Sequence, residues 1–236
     1  DAETLALGFL WYVIYLLSTT CHEAAHALAA KMGGDLTAFH GGQVSLDPLP
    51  HIRREPLGMV LFPILTYLGN GWMMGWASAP YDPYWSQRHP HRAGWMSLAG
   101  PAANTVLAIL AALLIHAGLA TGVFRAPESV SFAQMVAASA PGWAEGAAKA
   151  LSILFSLNIL LATFNLLPVP PLDGFAAVGL LMREERARRF EAMKGSLGML
   201  GLLGLFLGWQ LYSALYDPIF GASLKILYPG LTYSQH

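Results

Sequence analysis

Apolar residues run in long unbroken stretches along this chain, and the polar residues gather between them. Five windows contain no Asp, Glu, Lys or Arg: residues 4–21, 57–79, 93–124, 150–172 and 195–216. Roughly 20 apolar residues of helix cross a bilayer, so each window has the length of a transmembrane segment. The first is expected to continue as helix to about Ala30. Between the first two windows the texture changes. Leu36, Ala38, Val44 and Leu46 alternate with polar positions around Gly41-Gly42, which predicts a short β-hairpin over 35–48. Segment 80–92, rich in Pro, His, Tyr and Arg, reads as an ordered loop. Segment 125–146 reads as a polar connection. Residues 183–194 carry five basic and three acidic side chains and predict an amphipathic helix at a membrane face.

Composition supports this reading. Only 11% of the 236 residues are charged and 55% are hydrophobic, where a soluble domain carries about 25% charged residues. Mean hydropathy is +0.48, so most of the chain does not face water. A net charge of −1 gives no reason to expect a nucleic-acid partner. The one cysteine, Cys21, permits no internal disulfide and reads as a small buried hydrophobe.

The first helix holds His22-Glu23-Ala24-Ala25-His26. Residues four apart share a helical face, so two imidazoles can meet one tetrahedral metal, with Glu23 placed to take a proton from a metal-activated water. In a soluble helix such a pair is often a surface feature. Here it follows an uncharged run, and ionisable groups at membrane depth cost roughly 2.5–3.5 kcal/mol each, so they usually serve function. A third ligand is then needed. The fourth window ends in Asn165-Leu166-Leu167-Pro168-Val169-Pro170-Pro171-Leu172-Asp173-Gly174. Prolines lack the N–H that a helix requires, so the chain must unwind here. Unwound backbone at membrane depth is tolerated beside a cavity or against protein. The run therefore delivers Asp173 to a pocket, although Asp-Gly also suits a plain turn after a helix.

Taken in order, His22-Glu23-x-x-His26, Gly100-Pro101-Ala102-Ala103-Asn104 and Asn165…Leu172-Asp173-Gly174 resemble the site-2 protease family of intramembrane metalloproteases, over about residues 5–195. The resemblance implies one zinc ion held by His22, His26 and Asp173, with Glu23 as general base. It implies that Asn165 lies at the active site, where its amide can donate to the oxyanion of the scissile group, and Asn104, which matches the family's Gly-Pro-x-x-Asn, reads either as support near the metal or as a helix-packing hydrogen bond. It also implies transmembrane protein substrates. No insert is long enough for a PDZ domain and the tail is too short for a CBS pair, so a minimal core is expected. The chain reads as a single domain over 1–236, with a catalytic core over about 5–195 and a C-terminal transmembrane helix over about 195–216.

For the motifs to meet at one depth, the first and fourth windows must run in the same direction. Residues 57–79 then cannot cross if 93–124 does, and are expected to dip in and return, with Pro63 and Gly69-Asn70-Gly71 as break points. This places ten of the basic residues on one side (Lys31, Arg53, Arg54, Arg88, Arg92, Arg183, Arg186, Arg188, Arg189, Lys194) and three on the other (Arg125, Lys149, Lys225). The positive-inside rule puts the first side in the cytoplasm. The expectation is a mainly α, polytopic protein of a bacterial-type cytoplasmic membrane. It has about four full transmembrane helices, one re-entrant segment and a small β-hairpin that pairs with an unwound substrate, and its metal lies near the cytoplasmic face. The competing readings are a membrane metal transporter or sensor, an inactive protease-like scaffold, and a protease using a glutamate as third ligand. His40, His51, His89 and His91 read as solvated loop residues, His116 as a packing residue, and the Trp and Tyr residues of 72–85 as an interfacial belt.

Overall fold

The computed structural model describes residues 2–197 and 200–230. The first window and the motif after it form a single helix, α1 (Ala2–Met32). Two short helices follow, α2 (Thr37–His40) and α3 (Pro48–Arg54). A π-helical turn, Leu57–Leu61, runs into α4 (Phe62–Asn70). Then come α5 (Pro83–Arg88) and α6 (Pro90–Ala120). The two-residue strands β1 (Phe124–Arg125) and β2 (Ala137–Ala138) pair antiparallel. The chain continues through α7 (Trp143–Asn165), α8 (Asp173–Ala177), α9 (Glu184–Lys194) and α10 (Leu200–Leu227).

Among the described residues, α1, α6 and α7 are long and apolar enough to cross a bilayer, and the protein is a mainly α, polytopic membrane protein. The helix expected as a fourth span, α10, has the length but is not among these three. Residues 198–199 of that window lie outside the described residues.

α6 lies at the centre and packs against both α1 and α7. Its inward side carries Ala108, Ala111 and Ala112, while Val106, Ile109, Leu110, Leu113 and Leu114 face outward. That distribution suits lipid. Tails are as apolar as leucine, so helices associate through close backbone approach over small residues rather than by hiding large ones. Larger side chains fill the gaps. Ile115, Met135, Phe155 and Leu227 join α6, α7, α10 and the 124–138 connection. Trp11, Ile14 and Tyr15 of α1 meet Ile153 and Leu157 of α7.

The segment after α3 runs out along α1 and doubles back on itself. Its helical part, Leu57 to Asn70, covers 14 residues, about 21 Å at 1.5 Å per residue and short of a bilayer core of about 30 Å. Gly71 adopts φ +75°, the left-handed conformation open to glycine. The chain then comes back extended, and Trp76 N–H donates to Gly58 O at 3.2 Å. Along α1, Tyr67 hydroxyl donates to Thr4 O at 2.9 Å and Tyr15 hydroxyl to Gly58 O at 2.8 Å.

Three local expectations are corrected. Residues 35–48 form no hairpin, and the paired strands lie at 124–125 and 137–138 instead. Asp35 prevents an extended start, because its Oδ1 accepts from both the backbone N–H and the hydroxyl of Thr37 and so turns the chain into α2. Asp47 then caps α3 through Leu49 N–H, with Pro48 in the first turn. Alternation of apolar residues needs a partner strand to become a sheet, and local capping here acts first. His51 is buried rather than solvated, and Trp85 of the expected belt is buried as well, donating to Gly33 O.

Candidate metal centre

His22 and His26 lie one turn apart in α1 and point the same way, with Nε2 atoms 3.0 Å apart. The carboxylate of Asp173 comes to meet them. Its Oδ2 lies 3.1 Å from His22 Nε2 and 3.3 Å from His26 Nε2. The proline run brings it there. After α7 ends, Val169 N–H donates to Leu167 O and Leu172 N–H to Val169 O, so the chain passes through tight turns and Asp173 opens α8. Gly174 makes the return possible, because a Cβ there would overlap the carbonyls of Leu166 and Leu167.

The remaining ring nitrogens define the chemistry of these three atoms. His22 Nδ1 lies 2.5 Å from Asn104 Oδ1, and His26 Nδ1 lies 2.7 Å from Met96 O. Both oxygens only accept, so each Nδ1 carries a proton, and whenever the ring is neutral its Nε2 then presents a lone pair. Asp173 Oδ2 is buried without a hydrogen-bond partner. Two ring nitrogens and a carboxylate oxygen thus converge within 3.3 Å of one another, an arrangement that suits a cation. The spacing fits as well. Four ligands arranged tetrahedrally at bond lengths of 2.0–2.1 Å lie about 3.3 Å from one another.

Space for an ion comes from α6. A Cβ on Gly100 would overlap Nε2 of both histidines, so only glycine leaves the side facing them open. The carboxylate side is the more accessible one. Asp173 keeps 21% of its side chain exposed, against 9% for His22 and 8% for His26. Glu23 is buried beside His22 in α1.

The structure therefore brings His22, His26 and Asp173 together, and Asn104 reaches them through His22. Asn165 ends α7 with its amide Nδ2 donating to Leu161 O at 2.9 Å, and no hydrogen bond joins it to the three donors. Met96 and Gly100 also border the centre, with Ser18 and Asn158 behind Asn104, and the sequence marks none of them as an individual site residue. Gly100 is legible only as part of its motif. Met96 acts through a backbone carbonyl, which no residue type signals. His116, expected to pack, contacts Ile226 O of α10 through Nε2.

The model of the family described as Peptidase family M50 matches residues 10–207. The chain is 31% identical over 225 residues to the "Putative zinc metalloprotease YwhC" of Bacillus subtilis (strain 168), covering 92% of each protein. It is 30% identical over 200 residues to the "Putative zinc metalloprotease Rip2" of Mycobacterium tuberculosis, covering 83% of this chain and 67% of that one. With the Rip2 protein of Mycolicibacterium smegmatis, which bears the same name, the identity is 28% over 180 residues, covering 76% and 60%. No solved structure matches the chain. The match runs from the helix that bears the histidines past the turn that bears the aspartate, and on that extent the chain belongs to peptidase family M50, the site-2 protease family.

Proposed function

We propose that this protein is an intramembrane zinc endopeptidase that cleaves transmembrane protein substrates near the cytoplasmic face. The observation that carries the reading is the convergence of His22 Nε2, His26 Nε2 and Asp173 Oδ2, with both Nδ1 atoms already committed to acceptors. Two imidazoles and one carboxylate at tetrahedral spacing form a donor set that suits zinc and leaves a fourth position open. One zinc ion held there supplies Lewis acidity and brings the pKa of a water molecule to about 7.

The chain's own residues do the rest. Glu23 accepts the proton of the attacking water as its oxygen bonds to the scissile carbonyl carbon. The C–N bond then breaks, and Glu23 passes that proton to the departing amine. Asn165 retains a second amide proton beyond the one given to Leu161, and we assign it to the developing oxyanion, where one preorganised donor contributes about 2.7–4 kcal/mol. Asn104 holds His22 from behind. The substrate must be locally unwound, because a transmembrane helix keeps its carbonyls in its own hydrogen bonds. The pairing role expected of a hairpin at 35–48 falls away with the hairpin.

The cytoplasmic assignment rests on charge. The re-entrant return of 57–76 keeps Lys31, Arg53, Arg54, Arg88 and Arg92 on one side of the bilayer, and that side carries most of the basic residues.

Zinc analysis of the purified chain, with cleavage of a transmembrane substrate reconstituted beside it, tests the proposal. Glu23→Gln should keep its zinc and lose about 10²–10⁴-fold in cleavage. His22→Ala, His26→Ala and Asp173→Ala should lose both. A Glu23→Gln protein that still cleaves, or that instead moves zinc across a vesicle membrane at the wild-type rate, would overturn the assignment.

A further inference from the structure

Behind His22 runs a chain of polar side chains whose far member has no part in the chemistry above. Asn158 of α7 is fully buried, as is Asn104 of α6. Asn104 donates from Nδ2 to Asn158 Oδ1 at 2.8 Å and to Ser18 O at 3.2 Å. Asn158 in turn donates from its own Nδ2 to Ser18 Oγ at 2.9 Å and to Leu154 O at 2.8 Å.

A side-chain amide has nearly the same shape in either orientation, so its partners decide which end is oxygen. The carbonyl of Leu154 only accepts. It therefore fixes the NH2 end of Asn158, and Asn158 Oδ1 then faces Asn104. That oxygen fixes the NH2 end of Asn104 and leaves Asn104 Oδ1 for His22. Reversing Asn104 would set its oxygen against those of Asn158 and Ser18, deep in a spanning helix where water offers no alternative partner.

We propose that Asn158 is a positioning residue of the metal centre, setting through Asn104 the tautomer of His22 that leaves Nε2 bare. The inference rests on the reading of His22 as a metal ligand. Without Asn158, Asn104 loses its shorter anchor, and His22 is free to carry its proton on Nε2, where it no longer binds a cation. Outer-shell partners of this kind typically govern about 10–100-fold in metal affinity. Hydrogen bonds that merely tie α1, α6 and α7 together would change thermal stability and leave metal affinity alone.

The test uses the full chain in detergent micelles. Zinc affinity is read by competition with a chromophoric chelator, coordination geometry by the visible bands of the Co2+-loaded protein, and folding by thermal unfolding of the metal-free protein. Asn158→Leu should weaken zinc at least about tenfold and alter the Co2+ bands. Asn158→Asp, whose carboxyl in its protonated form can donate to Leu154 O and still offers an oxygen to Asn104, should stay within about threefold of wild type. If Asn158→Leu does not fold, Asn158→Ser, whose hydroxyl is too short to reach Asn104, carries the same expectation. A folded Leu or Ser variant with wild-type zinc affinity and unchanged Co2+ bands would overturn the proposal, as would an Asp variant as weak as Leu. His22→Ala and Asp173→Ala are measured alongside. If they bind zinc normally, the centre itself has been misassigned. If they lose zinc while Asn158→Leu keeps it, only the role of Asn158 fails.

Discussion

Gly100 faces His26 across a gap too narrow for a methyl group, since a Cβ on that glycine would overlap His26 Nε2. The two residues sit on different helices, so their separation records how closely α6 and α1 approach at the centre. Gly100→Ala should therefore fill the space that an ion needs while keeping the helical backbone. The expected result is a folded protein whose zinc affinity is down by at least about tenfold, measured by chelator competition on the purified chain.

The doubling back of residues 57–76 makes a topological prediction. Asp47 and Tyr84 flank that segment and are exposed. Asp47→Cys and Tyr84→Cys, each made with Cys21→Ala, should be labelled by an impermeant thiol reagent from the same side of the membrane. Labelling from opposite sides would mean that the segment crosses.

Asp35 predicts a pH dependence outside the spanning helices. Burial pushes its carboxyl up, but hydrogen bonds from Thr37 hydroxyl, Thr37 N–H and Asp82 N–H outweigh burial and hold it below the usual carboxylate range. A depressed folded pKa adds stability above the unfolded value, and that stability is lost as pH falls through the folded one. Asp35→Asn sets an amide NH2 against a donor and should cost about 1–3 kcal/mol near neutrality. The gap between the two unfolding curves should close below about pH 4.

The proline run is seated on α10. A Cβ on Gly204 would overlap the carbonyl oxygen of Pro170, and Gly201 and Gly208 lie over Pro171 and Leu172. Gly204→Val should push α10 from the run that leads to Asp173. Thermal stability is expected to fall by about 1–3 kcal/mol, with zinc affinity falling alongside it. A variant that unfolds earlier yet holds zinc normally would mean that the run keeps its shape without α10.

Much of this architecture is legible in the amino-acid sequence. The run of apolar windows predicts the long apolar helices, and the i, i+4 histidines predict two imidazoles on one face because helical geometry is local. The unwinding ahead of Asp173 is legible because proline acts through covalent structure. Less local features are harder to read. The alternation over 35–48 looks like strand, yet the Asp35 and Asp47 caps turn it helical, which depends on side-chain hydrogen bonds rather than hydrophobic period. Asn158 looks like any polar residue in an apolar helix, since only the packing of α1, α6 and α7 shows what it faces.

Asp173 reaches the histidines only after two further long helices have been made and packed. A polypeptide still emerging from the ribosome holds His22 and Glu23 early, yet lacks the carboxylate that completes the set. The three donors thus meet only late in synthesis, and a partly made chain carries both imidazoles without their third partner.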